Sequence, residues 1–219
     1  MTFGSTLESS RTAVLRDLAI LDTPAEPAYD DIARLASQLC DGAIAAVNFV
    51  DDDRHWTKAI VGVEDGQGTS VPADVSFCAA TVATDEGLLV LGDTSASDEW
   101  REHLLVTGPP FVRSYAGAEP VGVVCVSSDR PQHLDGHQVQ SLIALARQAS
   151  AHIELRLRNA ELERLTGELR RRDHMLNGVI ENSMTLIYVK DLAGRYLLYN
   201  SSFANALGLG TRGAVEGRD

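Results

Sequence analysis

Leucine recurs every seventh residue at Leu155, Leu162, Leu169 and Leu176. A heptad spacing keeps one apolar seam on one side of a helix, and such a seam normally seeks a partner helix. The surrounding stretch is rich in charge and joins two segments that read as separate modules. Leu165 falls on the adjoining d-like row and extends the seam. Arg158 and Arg172 interrupt that row, which ends at Val179. Gly167 sits mid-helix, at a cost of about 1 kcal/mol relative to alanine. Two arrangements fit this pattern: a parallel dimeric coiled coil, or a surface helix folded back on its own domain. The first suits a connector that passes a conformational bias between modules.

The same helix carries a second stripe, formed by Val139, Leu142, Ile143, Ala146, Ala149 and Ile153. From Val139 to Leu155, at roughly 100° per residue, the helix turns about 160°. The two stripes therefore point in nearly opposite directions. The first is expected to seat the helix on its own domain, the second to meet a partner subunit.

Upstream, the period of the apolar pattern defines the remaining elements. Residues 8–21 and 27–40 read as amphipathic helices, the second closed by Gly42. Residues 43–50 and 55–62 read as a hairpin around the polar turn Asp51-Asp52-Asp53-Arg54. A glycine-rich loop at 62–70 leads to a short helix over 76–84. Strands follow at 88–91, 112–118 and 121–127, with a helical turn at 98–103. Glu119-Pro120 separates the last two strands, since proline cannot donate to a ladder. The pattern predicts an α+β fold, an antiparallel sheet with helices on one face.

Charge and cysteine content narrow the function. Residues 1–137 hold 8 basic against 22 acidic residues, and 138–219 hold 11 against 9. The acidic first module should repel nucleic acid and anionic membrane. The longest uncharged apolar stretch, 42–50, is too short to span a bilayer. No signal peptide is visible, and three cysteines (Cys40, Cys78, Cys125) make no disulfide framework. A cytoplasmic protein is expected.

The residues also resemble a known family. The LDTP segment at 21–24, SFC at 76–78, TGPP at 107–110 and YAGA at 115–118 are together similar to a bacterial subgroup of GAF domains. The resemblance runs over residues 8–155. It implies an antiparallel sheet flanked by helices, cytoplasmic signalling and dimerisation through flanking helices. Residues 176–209, LNGVIENSMTLIYVKDLAGRYLLYNSSFANALGL, resemble the opening of a PAS domain, of which the later strands are missing. The expected organisation is a tail at 1–7, a GAF-like sensory domain at 8–153, a signalling helix at 154–178 and an incomplete PAS-like segment at 179–219. The Glu119-Pro120 link is shorter than in relatives, which is expected to shrink the rim of the family pocket.

If a small-molecule pocket exists, its lining is expected from Trp56, Phe77, Cys78, Asp93, Arg113 and Tyr115, which mix apolar surface with a few polar groups. Trp56 and Phe77 serve equally as core residues, and Arg113 as a partner for nearby acids. Neither SFCAA nor VVCVS supplies a base that would activate a thiol. The six histidines are scattered and make no metal set, and they give no haem signature. No motif for cyclic nucleotide, bilin or a phosphate-cradling loop is present. The cofactor is left open. The leading expectation is a non-enzymatic, homodimeric sensory module of a bacterial signalling protein, relaying ligand or partner binding to an output domain outside this sequence. The alternatives are a ligand-free dimerisation scaffold and, third, a thiol redox enzyme using Cys78 or Cys125.

Overall fold

A computed structural model describes Leu15 and residues 20–64, 66–119 and 121–208 of the chain. The expected helix at 8–21 lies largely outside these residues. Leu15 and Ile20 are nevertheless fully buried in the core. The chain packs as two compact units, meeting in sequence at Leu157 and Arg158.

Helix α1 (Pro27–Cys40) opens with proline in its first turn, where the missing N–H costs nothing. It stops at Asp41, whose left-handed backbone (φ 50°) brings its N–H onto the Ser37 carbonyl. Gly42 closes the helix as expected, its N–H also bonding the Ser37 carbonyl at 3.1 Å, but the left-handed position falls to Asp41. That glycine also serves packing, since a Cβ there would stand 2.9 Å from Val126 Cβ on the neighbouring strand.

Strands β1 (Ile44–Val50) and β2 (Arg54–Val61) form the expected hairpin. A short strand β3 (Ser70–Pro72), read from sequence as part of a loop, adds an edge where proline is tolerated. Helix α2 (Phe77–Val82) is capped by Ser76, whose Oγ accepts the N–H groups of Cys78 and Ala79. Strand β4 (Leu88–Leu91) follows as expected. Residues 98–102 make only turns, and the helical turn comes later, as α3 (Leu104–Thr107). The Nδ1 of His103 accepts the Leu105 N–H, and this cap shifts the helix start. Strands β5 (Ser114–Ala118) and β6 (Val123–Ser128) then lead into α4 (Gly136–Glu181).

Among the described residues the first unit holds a six-stranded sheet in the order β3-β2-β1-β6-β5-β4, with every neighbouring pair antiparallel. The β5–β6 register runs evenly from Ser114↔Ser128 to Ala118↔Val124, so the short Glu119-Pro120 link leaves the pairing intact. Pro120 itself lies outside the described residues.

Strict alternation divides the sheet's two faces. Ala45, Val47, Phe49, Ala116, Ala118, Val124 and Val126 pack with α1 and with Leu142, Leu145, Ala146, Ala149 and Ile153 of α4. Ala46, Val50, Tyr115, Val123 and Cys125 pack with Phe77 and Cys78 of α2 and with Val106 of α3. Both faces are therefore covered, not one. The sequence conceals this because the second cover is built from two very short helices and turns.

The second unit contains the rest of α4, a hairpin β7 (Tyr188–Lys190) and β8 (Tyr196–Tyr199), and helix α5 (Ser201–Ala206). Asn200 organises it. Its fully buried amide accepts the N–H groups of Ile187 and Phe203 and donates to the carbonyls of Ile180, Ser183 and Thr185. The hairpin turn is closed by Asp191, which accepts from the backbone of Ala193 and Arg195, with Gly194 at positive φ.

Candidate functional site

The two faces of the sheet bury different chemistry, and β2 serves both. A register shift between Val47 and Asn48 leaves Lys58 without a partner residue on β1. This bulge turns both Lys58 and Ala59 toward the helical face. Lys58 is fully buried there. Its Nζ donates to Thr23 Oγ1 (2.6 Å), the Pro24 carbonyl (2.8 Å) and Glu26 Oε1 (2.6 Å). It also lies 5.5 Å from the Tyr29 ring centre and 5.7 Å from that of Trp56. Arg156 of α4 binds the same Glu26 oxygen. Burial alone would raise the Glu26 carboxyl, but hydrogen bonds from Lys58 and Arg156 outweigh it and hold the group below its usual range.

Trp56 therefore belongs to this face, where it stacks on Phe49 and shields Lys58. It does not join the other residues expected at a pocket. The opposite face brings together Phe77, Cys78 and Tyr115. Phe77 stacks on Tyr115 with ring centres 5.0 Å apart, and Trp100 and His103 pack on its other edges at 4.8 and 4.9 Å. Gly117 permits this arrangement, because a Cβ there would stand 2.2 Å from Tyr115 Oη. Asp93 and Arg113 stand apart from the thiols. Asp93 caps the Thr94–Ala96 turn through Ser95, whose hydroxyl and N–H lower its carboxyl, with a smaller contribution from the Arg113 charge.

Beneath the aromatic cover the two thiols meet. Cys78 Sγ and Cys125 Sγ lie 3.8 Å apart, and both residues are buried. Asn48, from the middle of β1, donates to both: 3.2 Å to Cys78 and 3.3 Å to Cys125. Its Oδ1 lies 3.0 Å from His55 Nε2, and His55 Nδ1 lies 2.8 Å from Ser76 Oγ. Ser76 Oγ already accepts from two backbone N–H groups, so its own hydrogen goes to Nδ1. Nε2 then carries the ring proton and donates it to Asn48. Tyr115 Oη completes the cluster, 2.8 Å from Thr81 Oγ1 and 3.6 Å from Cys78 Sγ.

These contacts divide the acidity of the pair. The contact between the two sulfurs, against the cost of burial, holds Cys78 below an ordinary thiol, with smaller contributions from Tyr115 and Asn48. The same contact, together with burial, pushes Cys125 well above the ordinary value. The hydrogen-bond donors that the local SFCAA and VVCVS segments lack are thus supplied across the sheet. Sequence reasoning passed over Asn48 and His55. Their one signal was a polar residue at the centre of an apolar strand, AIAAVNFV, facing a histidine across the hairpin.

Side chains at contact distance fill the space between Phe77, Cys78 and Tyr115. A cleft of about 360 Å³ lies elsewhere, lined by Leu88, Ala118, Glu119, Ile143 and Arg147. None of these was expected at a pocket. The predicted dimer seam is solvent-exposed in the isolated chain: Leu155, Leu162, Leu165, Leu169 and Leu176 are each more than two-fifths accessible, up to 61% at Leu176. No described helix is long and apolar enough to cross a membrane, and among the described residues no group of three or more histidine, cysteine, aspartate or glutamate side chains could hold a metal ion.

Comparison with known proteins agrees with this architecture. A cyclic di-GMP phosphodiesterase, PA2567 of Pseudomonas aeruginosa, is 28% identical over 132 residues, 57% of this chain. The chain covers only 22% of that protein's length. The GAF domain of an Acinetobacter phosphoenolpyruvate-protein phosphotransferase superposes with a TM-score of 0.50 at 18% identity, covering 65% of this chain and 91% of that one. The GAF domain of Thermosynechococcus elongatus PixJ, in its blue-light-absorbing form, gives 0.51 at 16% identity, covering 73% and 96%. At these identities the superpositions speak for the fold alone. Residues 24–153 match the GAF domain family, well over half of the sequence, and the chain belongs to that family.

Proposed function

We propose that this chain is the sensory and regulatory part of a bacterial signal-transduction protein. It works as a homodimer joined along the leucine seam of α4. Binding of a small ligand or partner to the GAF domain biases α4, which relays the change to an output domain outside these residues. The observation that carries this reading is the exposed heptad row on a helix whose first turns are buried in the GAF core. An isolated helix has no reason to display five leucines to water, and a second copy would cover them.

The finer assignments belong to the same proposal. The LDTP, SFC and YAGA segments support assigning the domain to one bacterial GAF subgroup. Residues from about 179 onward form the opening of a PAS module, supported by the β7–β8 hairpin and the aromatic cluster of Tyr196, Tyr199 and Phe203. The protein is cytoplasmic, and neither nucleic acid nor membrane is its partner. The domain senses rather than catalyses. A relative that degrades a cyclic dinucleotide supports an output in second-messenger turnover. Phe77, Cys78, Tyr115, Asp93 and Arg113 remain the residues through which a ligand would be felt, after rearrangement of the Trp100–His103 cover.

Light scattering over a range of concentrations tests the dimer. Leu162→Glu with Leu169→Glu should yield a folded monomer with unchanged far-UV circular dichroism. A wild-type chain that stays monomeric at every concentration would overturn the reading.

A further inference from the structure

The dimer relay leaves three features without an explanation of their chemistry: the buried Lys58–Glu26–Arg156 cluster, the exposed aromatic hairpin of the second unit, and the buried thiol pair. The pair carries an argument furthest. Two sulfurs from distant parts of the sequence touch at 3.8 Å, from the first turn of α2 and from central strand β6. A packing role would ask only for two small apolar side chains. Instead three polar groups converge: Asn48 binds both sulfurs, His55 holds Asn48, and Tyr115 reaches Cys78. Cys40 supplies an internal contrast. It is also buried, but among the described residues its sulfur hydrogen-bonds only to the Gln138 carbonyl, at 3.6 Å, and burial, with Asp41 and Asp135 nearby, raises it.

We propose that Cys78 and Cys125 form a peroxide-responsive dithiol that closes reversibly to a disulfide. In the first step the Cys78 sulfur attacks an oxygen of hydrogen peroxide. The S–O bond forms as the O–O bond breaks, and the departing hydroxide takes a proton to become water. Cys125 Sγ then attacks the sulfenic sulfur of Cys78. The S–S bond forms, the S–O bond breaks, and the hydroxyl leaves as a second water with the Cys125 proton. Two thiols lose two electrons and one peroxide gains them. A dithiol reductant reverses the bond by exchange.

The division of labour follows from the geometry. Cys78 receives the donors that stabilise a thiolate, so it is the attacking sulfur, and Cys125 resolves. Burial selects the oxidant. Both sulfurs are buried beneath the half-buried Trp100 and His103, so a molecule little larger than water would need only a small displacement of that cover, and glutathione disulfide a large one. The bond would tie α2 to the centre of the sheet. Its use as an input rests on the regulatory reading above, but the chemistry is measured separately from the dimer.

Brief treatment with hydrogen peroxide, quenching, and alkylation after denaturation should leave one reactive cysteine, Cys40, in place of three. The intact mass should fall by two hydrogen atoms, and peptide mapping should join Cys78 to Cys125. Oxidised glutathione at the same concentration should leave all three alkylatable. In Cys125→Ser, dimedone added with the denaturant after peroxide should trap a sulfenic acid on Cys78; in Cys78→Ser it should trap none on Cys125. The wild-type mapping stands even if a variant fails to fold. Three reactive thiols after peroxide would overturn the proposal. So would oxidation halted on Cys78 with Cys125 free, oxidation of Cys40 at an equal rate, or equally rapid reaction with glutathione disulfide.

Discussion

The two faces of the GAF sheet are built from the same strands, yet they protect different things. On the helical face a full positive charge is buried, matched by one carboxylate and sealed under Tyr29 and Trp56. On the other face no ion pair is found among the described residues; a chain of neutral donors ends on two sulfurs. The first arrangement is fixed, because a buried charge stripped of its partner is costly in almost any rearrangement. The second holds no such pair, so its bonding can change without stranding a buried counter-charge. A sheet can thus combine a rigid attachment for its long helix with a face able to respond.

Substitutions can break that contrast. The largest effect is expected at Glu26. Glu26→Ala strands Lys58 and also releases Arg156, and it should lower stability by roughly 3 kcal/mol, somewhat discounted because the carboxylate is partly exposed. Lys58→Met keeps the volume without the charge and should cost about 1 kcal/mol or less. Urea unfolding of both variants checks this. An equal loss from the two would mean that packing, not charge, holds this face.

Asn48→Ala comes next. It leaves the His55 ring proton and both sulfurs without their shared partner, and about 2 kcal/mol should be lost in the same measurement. A loss well under 1 kcal/mol would mean that the network is replaceable and the second face is ordinary core.

The smallest effect is the pH dependence of the helical face. The Glu26 carboxyl titrates below its unfolded value of 4.5, so its contribution is complete above that pH and disappears as acid protonates the folded carboxylate. In Glu26→Gln the melting temperature should start lower at pH 7 and fall less steeply than wild type below about pH 4.5. Parallel curves would remove the ionic contribution.

Much of this arrangement was legible in the sequence. The short apolar runs AIAAVNFV and VGVVCV specified the central strands, and the stripe from Leu142 to Ile153 identified the seat of α4. The covering of the second face was not legible. It rests on helices of six and four residues, too short for a period to emerge. The Lys58 bulge was equally hidden, since a lone lysine in HWTKAIV reads as an outward residue until the strand register is known. The meeting of Cys78 and Cys125 required that register too, because 47 residues separate them. Trp56 was placed with the wrong partners for a simpler reason. Its neighbour Thr57 faces the thiols, and one step along a strand reverses the face.

The bulge at Lys58 has one more consequence, for the fidelity of folding. Were β2 to pair with β1 one residue out of step, the lysine would enter the thiol face, where no carboxylate among the described residues awaits it. The slipped hairpin would have to bury a bare ammonium or remain open to water. A single charged residue thus acts as a proofreader of strand alignment, penalising the nearest wrong structure more than it strengthens the right one.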